Sequence, residues 1–243
     1  MRADGNAVRE AFEAGDCVYG GVAATGSPKV VEAFGDLGLD FVWVDFEHAG
    51  ASPWDADNLE GLSRAAEAGG TELLVRIPKP DPALVRKTLD AGVRNIMVPR
   101  VEEAREVRRA VEAAHFRYDG GVGDRGMAGC RADAWGTVDD YSEAEDDTVC
   151  VGTTIENPTA VENIDDILSV PELGFVFIGF EDLSTSLGHP REFDHPEVQR
   201  RGEIIRKSAL EAGVPIGRAC IEEGDPERLP EEGFQMLNIA SEL

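Results

Sequence analysis

The sequence is poor in lysine. Of its 23 basic residues only four, Lys29, Lys79, Lys87 and Lys207, are lysines, set against 48 aspartates and glutamates. The resulting formal charge of −25 repels nucleic acid and anionic lipid and argues against both as partners. No apolar run approaches the roughly 20 residues that cross a bilayer. The opening stretch MRADGNAVREAFEAGD has no apolar signal core, so the expectation is a cytoplasmic protein. The four cysteines, Cys17, Cys130, Cys150 and Cys220, make no CxxC pair and no metal-ligand spacing, which leaves them as reduced, small buried residues. No GxGxxG follows the first strand-like run, and no linker or low-complexity segment interrupts the chain. A dinucleotide fold is therefore disfavoured, and residues 1–243 read as one domain. An acidic, lysine-poor surface on an otherwise ordinary globular composition points to a protein adapted to high salt, where counter-ions screen self-repulsion; a merely acidic enzyme is the alternative.

What is present is a repeated alternation of short β-type runs with amphipathic segments. After a leading helix near residues 6–14, strand-like runs fall at CVYGGVAA, FVWVDF, ELLVRI, NIMVPRV, VCVGTTIE, FVFIGF, PIGRAC and FQMLNIA. Between them lie helical stretches such as PKVVEAFGDLG, DADNLEGLSRAAEAG, DPALVRKTLDAG, EEAREVRRAVEAAHF, PTAVENIDDILSV and HPEVQRRGEIIRKSALEAG. Several open on Pro or Asp and close on Gly, as helix-end chemistry requires. Eight apolar strands separated by helices, in a chain of 243 residues, close to the roughly 250 typical of the fold, predict an α/β fold of the (β/α)₈ TIM-barrel type. The sequence stops directly after the eighth run, so the eighth helix is expected to be absent. The Gly-rich stretch from Phe116 to Gly136 is too long for a routine connection and reads as an active-site loop.

In such a barrel the reactive groups sit at the C-terminal ends of the strands. Those ends carry Asp45, Glu47 and His48 after the second run, Arg76 after the third, Glu156 after the fifth and Asp182 just after the sixth. Taken singly, each reads as readily as a helix cap, a surface charge or a satisfied structural group. Together they converge on one mouth.

The segments DFVWVDFEHAG, VRIPKPDPALVRKTLDAGVRNIMVPRVEEAREV, GDRGMAG, VGTTIENPTAVENIDDIL and GFVFIGFEDLSTSLGHP…HPEVQ occur in that order from about residue 18 to about residue 200. They resemble the successive motifs of the HpcH/HpaI aldolases, class II metal-dependent pyruvate aldolases. That family acts on 2,4-dihydroxyhept-2-ene-1,7-dioate and on 2-keto-3-deoxy sugar acids. The resemblance implies that Glu156 and Asp182 hold a divalent cation, Mg²⁺, Mn²⁺ or Co²⁺. A hard cation of that kind suits two carboxylates plus water. It further implies His48 as catalytic base with Asp45 orienting it, and Arg76 on the keto oxygen. Asp90 is implied to reach a neighbouring subunit's site, and Arg125 lies in the GxRG loop as a substrate contact. The implied reaction is retro-aldol cleavage of a 2-keto-3-deoxy acid to pyruvate and an aldehyde, by a homo-oligomer, a hexamer in the family. An apolar flank beside the last strand would be covered by another subunit.

Two departures bear on the substrate. The family's usual Gly-Pro-x-Asp is here Gly179-Phe180-Glu181-Asp182, which keeps Gly179 and Glu181 as candidate substrate contacts in a loop of different shape. Arg218, at the end of the seventh run, is positioned to read a hydroxyl or carboxylate of the substrate tail, or to pair with Glu222. A lysine Schiff base is disfavoured, because only Lys79, in the stiff loop RIPKPDP, approaches a strand end. Two alternatives stay open. One is a citrate or malyl-CoA type lyase, for whose CoA phosphates the chain offers little basic surface; the other is a non-catalytic, metal-dependent binder of keto acids.

Overall fold

The structure is a computed structural model in which residues 5–220 and 225–243 are described. Eight parallel strands close into a barrel: β1 (Val18–Val22), β2 (Phe41–Asp45), β3 (Glu72–Arg76), β4 (Asn95–Val98), β7 (Cys150–Ile155), β8 (Leu173–Ile178), β9 (Ile216–Ala219) and β10 (Met236–Ser241), with β10 pairing back onto β1. These are the eight predicted strands. The remaining two, β5 (Arg117–Tyr118) and β6 (Gly121–Val122), form a separate antiparallel ribbon.

The barrel interior follows from the two-residue strand period. Phe41 and Trp43 on β2, Leu74 on β3, Met97 on β4, Phe175 and Phe177 on β8 and Met236 on β10 point inward as one buried cluster. Glycine makes room for the rings: a Cβ at Gly152 would lie 2.5 Å from the Phe175 ring, and one at Gly217 would lie 2.7 Å from Phe177. The leading helix α1 (Ala7–Ala14) plugs the N-terminal end of the barrel with Val8 and Phe12. It is pinned there by Asn6, whose amide donates to Asn95 Oδ1 and to the Thr148 carbonyl, both at 2.8 Å. Two residues further along β2, β3 and β10 the inward positions turn polar, at Asp45, Arg76 and Asn238, and that layer is the mouth.

Around the barrel, Val, Leu, Ile and Ala from strands and helices form the second and larger core. The stretch PTAVENIDDILSV, predicted as one helix, is two: α7 (Pro158–Glu162) and α8 (Ile164–Leu168), broken at Asn163, whose side chain donates to the Glu102 carbonyl at 2.8 Å. No helix follows β10 among the described residues. Instead the Glu242 carboxylate accepts from the Ala24 and Thr25 amides and the Thr25 hydroxyl, each at 2.7 Å, and ties β10 to the loop beyond β1.

The Gly-rich loop does not belong to the mouth. It follows helix α5 (Ala104–Ala114) and precedes α6 (Tyr141–Thr148) and β7, so it lies at the N-terminal end of the strands. Its contacts confirm that end: the Ala132 amide donates to the Asp90 carbonyl, and Arg131 donates to the Ala91 carbonyl, at the close of α4 (Pro82–Asp90).

Candidate active site

The mouth opens into a cavity of about 400 Å³. At one end its wall carries Trp43, Asp45, Arg76, Thr154, Glu156 and Asp182; at the other it carries Phe180, Phe193, Gln199 and Arg218. Each reactive group arrives by the strand period: Trp43 leads to Asp45 on β2, Leu74 to Arg76 on β3, and Thr154 to Glu156 beyond β7.

Asp45 and Arg76 are cross-strand partners. The guanidinium forks onto the carboxylate, Nε to Oδ1 at 2.8 Å and Nη2 to Oδ2 at 2.6 Å, while Nη1 lies 3.3 Å from Glu47 Oε2. A planar fork against a carboxylate is the strongest pairing these side chains form. Burial alone would push the Asp45 carboxyl up, but the bonds and charge of Arg76 outweigh it and hold the carboxyl below its ordinary range. Burial likewise opposes the charge on Arg76, and Asp45 more than restores it. Arg76 also lies over the Trp43 ring, 5.0 Å from its centroid.

The structure pairs Asp45 with Arg76 and not with His48. Both Asp45 oxygens are engaged by Arg76 and the Glu47 amide. His48 is more than half exposed on the loop beyond β2, outside the cavity wall, and its Nε2 lies 3.5 Å from Glu47 Oε2. Glu47 Oε2 therefore lies between the imidazole and the guanidinium without a hydrogen bond to either. Its position in the sequence was visible, but its part in the site was not.

Glu156 is buried, and its carboxyl is pushed up, first by burial and further by the charge of Asp182 nearby. Oε1 accepts the Arg100 amide at 2.6 Å. Oε2 faces Gly179, where an added Cβ would come within 2.6 Å of it. Gly179 is thus required as a space beside the carboxylate. Asp182 sits in the first turn of α9 (Phe180–Ser186), with Arg100 Nη1 3.8 Å from its Oδ1. Two carboxylates on one cavity wall, one of them buried and pushed up in part by the other's charge, form a site that a cation relieves. The residues present therefore fit a hard divalent ion.

At the far end, Phe180 rests against α10 (Pro196–Ala212) where Gly202 leaves space for its ring. Arg218 stacks over Phe180 at 4.6 Å and reaches Phe234 at 5.9 Å, and its Nε donates to the Ala219 carbonyl. Glu222, the other partner considered for Arg218, lies outside the described residues. Glu181 lines the same end but is largely exposed, 3.7 Å from Arg191.

Asp90 and Arg125 are not brought to this mouth. They pair with each other at 2.8 Å at the opposite end of the barrel, where Arg125 also meets the Tyr141 hydroxyl at 3.1 Å and lies 3.8 Å from Glu145. Arg125 is buried there, away from the cavity described above.

Residues 23–243 match the model of the HpcH/HpaI aldolase/citrate lyase family. The chain belongs to that family. Among its relatives, a 2-dehydro-3,6-dideoxy-6-sulfogluconate aldolase of Pseudomonas putida is 34% identical over 89% of this chain and 83% of its own length. A 5-keto-4-deoxy-D-glucarate aldolase of Klebsiella pneumoniae is 31% identical over 98% and 91%. A solved family member from Burkholderia cenocepacia superposes with a TM-score of 0.89 at 28% identity, covering 97% of this chain and 93% of its own. Family membership makes the chain a lyase of aldolase type. No helix among the described residues is long and apolar enough to cross a membrane.

Among the described residues one other cluster has metal-ligand composition: His189, His195 and Glu197 place their ligand atoms within 4.8 Å of one another. The two imidazoles, however, stack with centroids 3.4 Å apart, so their in-plane lone pairs run alongside each other instead of converging. His195 Nδ1 already accepts the Glu197 amide as the N-cap of α10. We read this cluster as a helix cap.

Proposed function

We propose that this chain cleaves a 2-keto-3-deoxy acid into pyruvate and an aldehyde, with a divalent cation held by Glu156 and Asp182. The observation that carries the reading is the buried Glu156 beside Asp182, facing the Arg76–Asp45 fork across one cavity. A cation bound there supplies positive charge for the 2-keto oxygen and the substrate carboxylate, and Mg²⁺, Mn²⁺ and Co²⁺ all suit its oxygen ligands.

The chain's own residues account for the rest. Arg76, immobilised by Asp45, presents its remaining N–H groups to the oxygen on which negative charge develops, and a donor fixed beforehand needs no reorganisation as the bond breaks. His48, beside Glu47 and outside the cavity wall, takes the proton of the C4 hydroxyl through a water. The C4 carbonyl forms, the C3–C4 bond breaks, and its electron pair enters the pyruvate half as an enolate, which is then protonated at C3. The indole N–H of Trp43, buried on the cavity wall without a hydrogen-bond partner, is a further donor available to substrate. Gly179 and Glu181 border the substrate, and Arg218 on its Phe180 shelf selects a polyhydroxylated or acidic tail.

The assembly belongs to the same reading. A homo-hexamer would let Asp90 reach a neighbouring mouth, and the exposed Leu210, Ile239 and Leu243 offer apolar surface beside β10 for such a contact. No lysine lines the cavity, and Lys79 is exposed, 3.3 Å from Asp81, which speaks against a Schiff base. The expected outcome of mutation is that Glu156→Gln and Asp182→Asn abolish pyruvate release while Lys79→Ala leaves it within about twofold. Inactivation by Lys79→Ala, with retained activity in both carboxylate variants, would reverse the assignment.

A further inference from the structure

Arg100 lies two residues beyond β4, and the motif resemblance assigns it no role. It touches both proposed cation ligands. Its backbone is left-handed, φ 56°, a region that costs a residue with a Cβ roughly 1–2 kcal/mol. Strain of this kind persists where surrounding structure fixes it, commonly at functional sites. Here the Arg100 amide donates to Glu156 Oε1 at 2.6 Å. That oxygen is thereby committed, and Oε2, beside Gly179, is left to face a ligand. The side chain does something different. It is 64% exposed, yet its Nη1 comes to 3.8 Å from Asp182 Oδ1. An exposed pair at that separation adds little to stability, so its significance is its position: a solvent-facing positive charge at the rim of the proposed cation site.

We propose that Arg100 is the positioning residue of the cation site, its amide fixing Glu156 and its guanidinium acting as a built-in counter-ion that occupies Asp182 until a divalent ion displaces it. The inference rests on the reading that Glu156 and Asp182 share a cation. It makes the guanidinium a competitor of the metal, so neutralising it tightens metal binding. At roughly 6–12 Å and low salt, the separation open to an exposed side chain, one unit charge against a divalent ion in water-like surroundings is worth about three- to tenfold in affinity. At molar salt, where the screening length falls to about 3 Å, the difference closes.

The test is direct Mn²⁺ binding, followed by the electron paramagnetic resonance signal of free Mn²⁺, for the wild type, Arg100→Gln, Arg100→Gly and Glu156→Gln at 50 mM and at 1 M salt. Arg100→Gln and Arg100→Gly both keep the amide, and both are expected to bind Mn²⁺ three- to tenfold more tightly than the wild type at low salt and equally at high salt. Arg100→Gly, which relieves the left-handed strain, is expected to melt above Arg100→Gln. Unchanged or weaker Mn²⁺ binding in Arg100→Gln overturns the counter-ion role. So does unchanged Mn²⁺ affinity with a raised KM for keto acid, which would make Arg100 a substrate anchor. If the wild type and Glu156→Gln bind Mn²⁺ alike, the metal-site reading itself fails, and that result is distinct from either of the others.

Discussion

Two carboxylates at the mouth respond to folding in opposite directions. Asp45 is held below its ordinary range by Arg76, so its contribution to stability is present at neutral pH and is lost as pH falls through the lowered value. Glu156 is pushed up by burial and by Asp182. The folded state therefore favours its protonated form, and that contribution is lost as pH rises through the raised value. In excess chelator at pH 7, Asp45→Asn is expected to melt below the wild type. The loss is about 2 kcal/mol, less than the 3–5 of a dry buried pair because the cavity is wetted. Glu156→Gln, which cannot ionise, is expected to melt above the wild type, with the gain shrinking as pH is lowered toward the carboxylate range. Thermal melts of the two variants from pH 5 to pH 8 check both signs. A Glu156→Gln variant less stable than the wild type at pH 7 would contradict the electrostatic account of the site.

The barrel strands were legible because each is an apolar run whose alternate residues fill one interior, and the polar layer was legible because the charged residues stand at the strand ends. Counting by two from Met236 also reaches Asn238, a buried cavity-lining residue on β10 that the sequence reading passed over. Three features could not be read in this way. The contribution of Arg100 runs through its backbone amide, which its side-chain type does not announce. Asp45 and His48 are near in sequence, but the strand period turns Asp45 inward to Arg76 and leaves His48 on the loop. The composition of residues 116–136 marked a functional loop without showing which end of the barrel it occupies; its place after a helix and before a strand decides that. Packing at the same scale gives a prediction. Gly152 on β7 gives way to the Phe175 ring, and a Cβ there would lie 2.5 Å from it. Gly152→Ala is therefore expected to destabilise by about 1–3 kcal/mol through overpacking. In a chain of this size that appears as roughly 2–4 °C in Tm per kcal/mol. An unchanged Tm would mean the interior has slack that the structure does not show.

Over the whole molecule the charge of −25 works against compaction, and salt screens it. The melting temperature is expected to climb as KCl is raised from 0.05 to 2 M, by more than for a chain of balanced charge, and a flat or falling curve would remove the case for adaptation to high salt. The central claim is a metal-dependent aldol cleavage, tested most directly by pyruvate release from a panel of 2-keto-3-deoxy acids after exhaustive treatment with EDTA, then with Mn²⁺ added back. The account predicts no release above background in chelator, recovery with Mn²⁺, and preference for acids with a polar or anionic tail. Full activity in excess chelator, or borohydride trapping of pyruvate on Lys79, would contradict it.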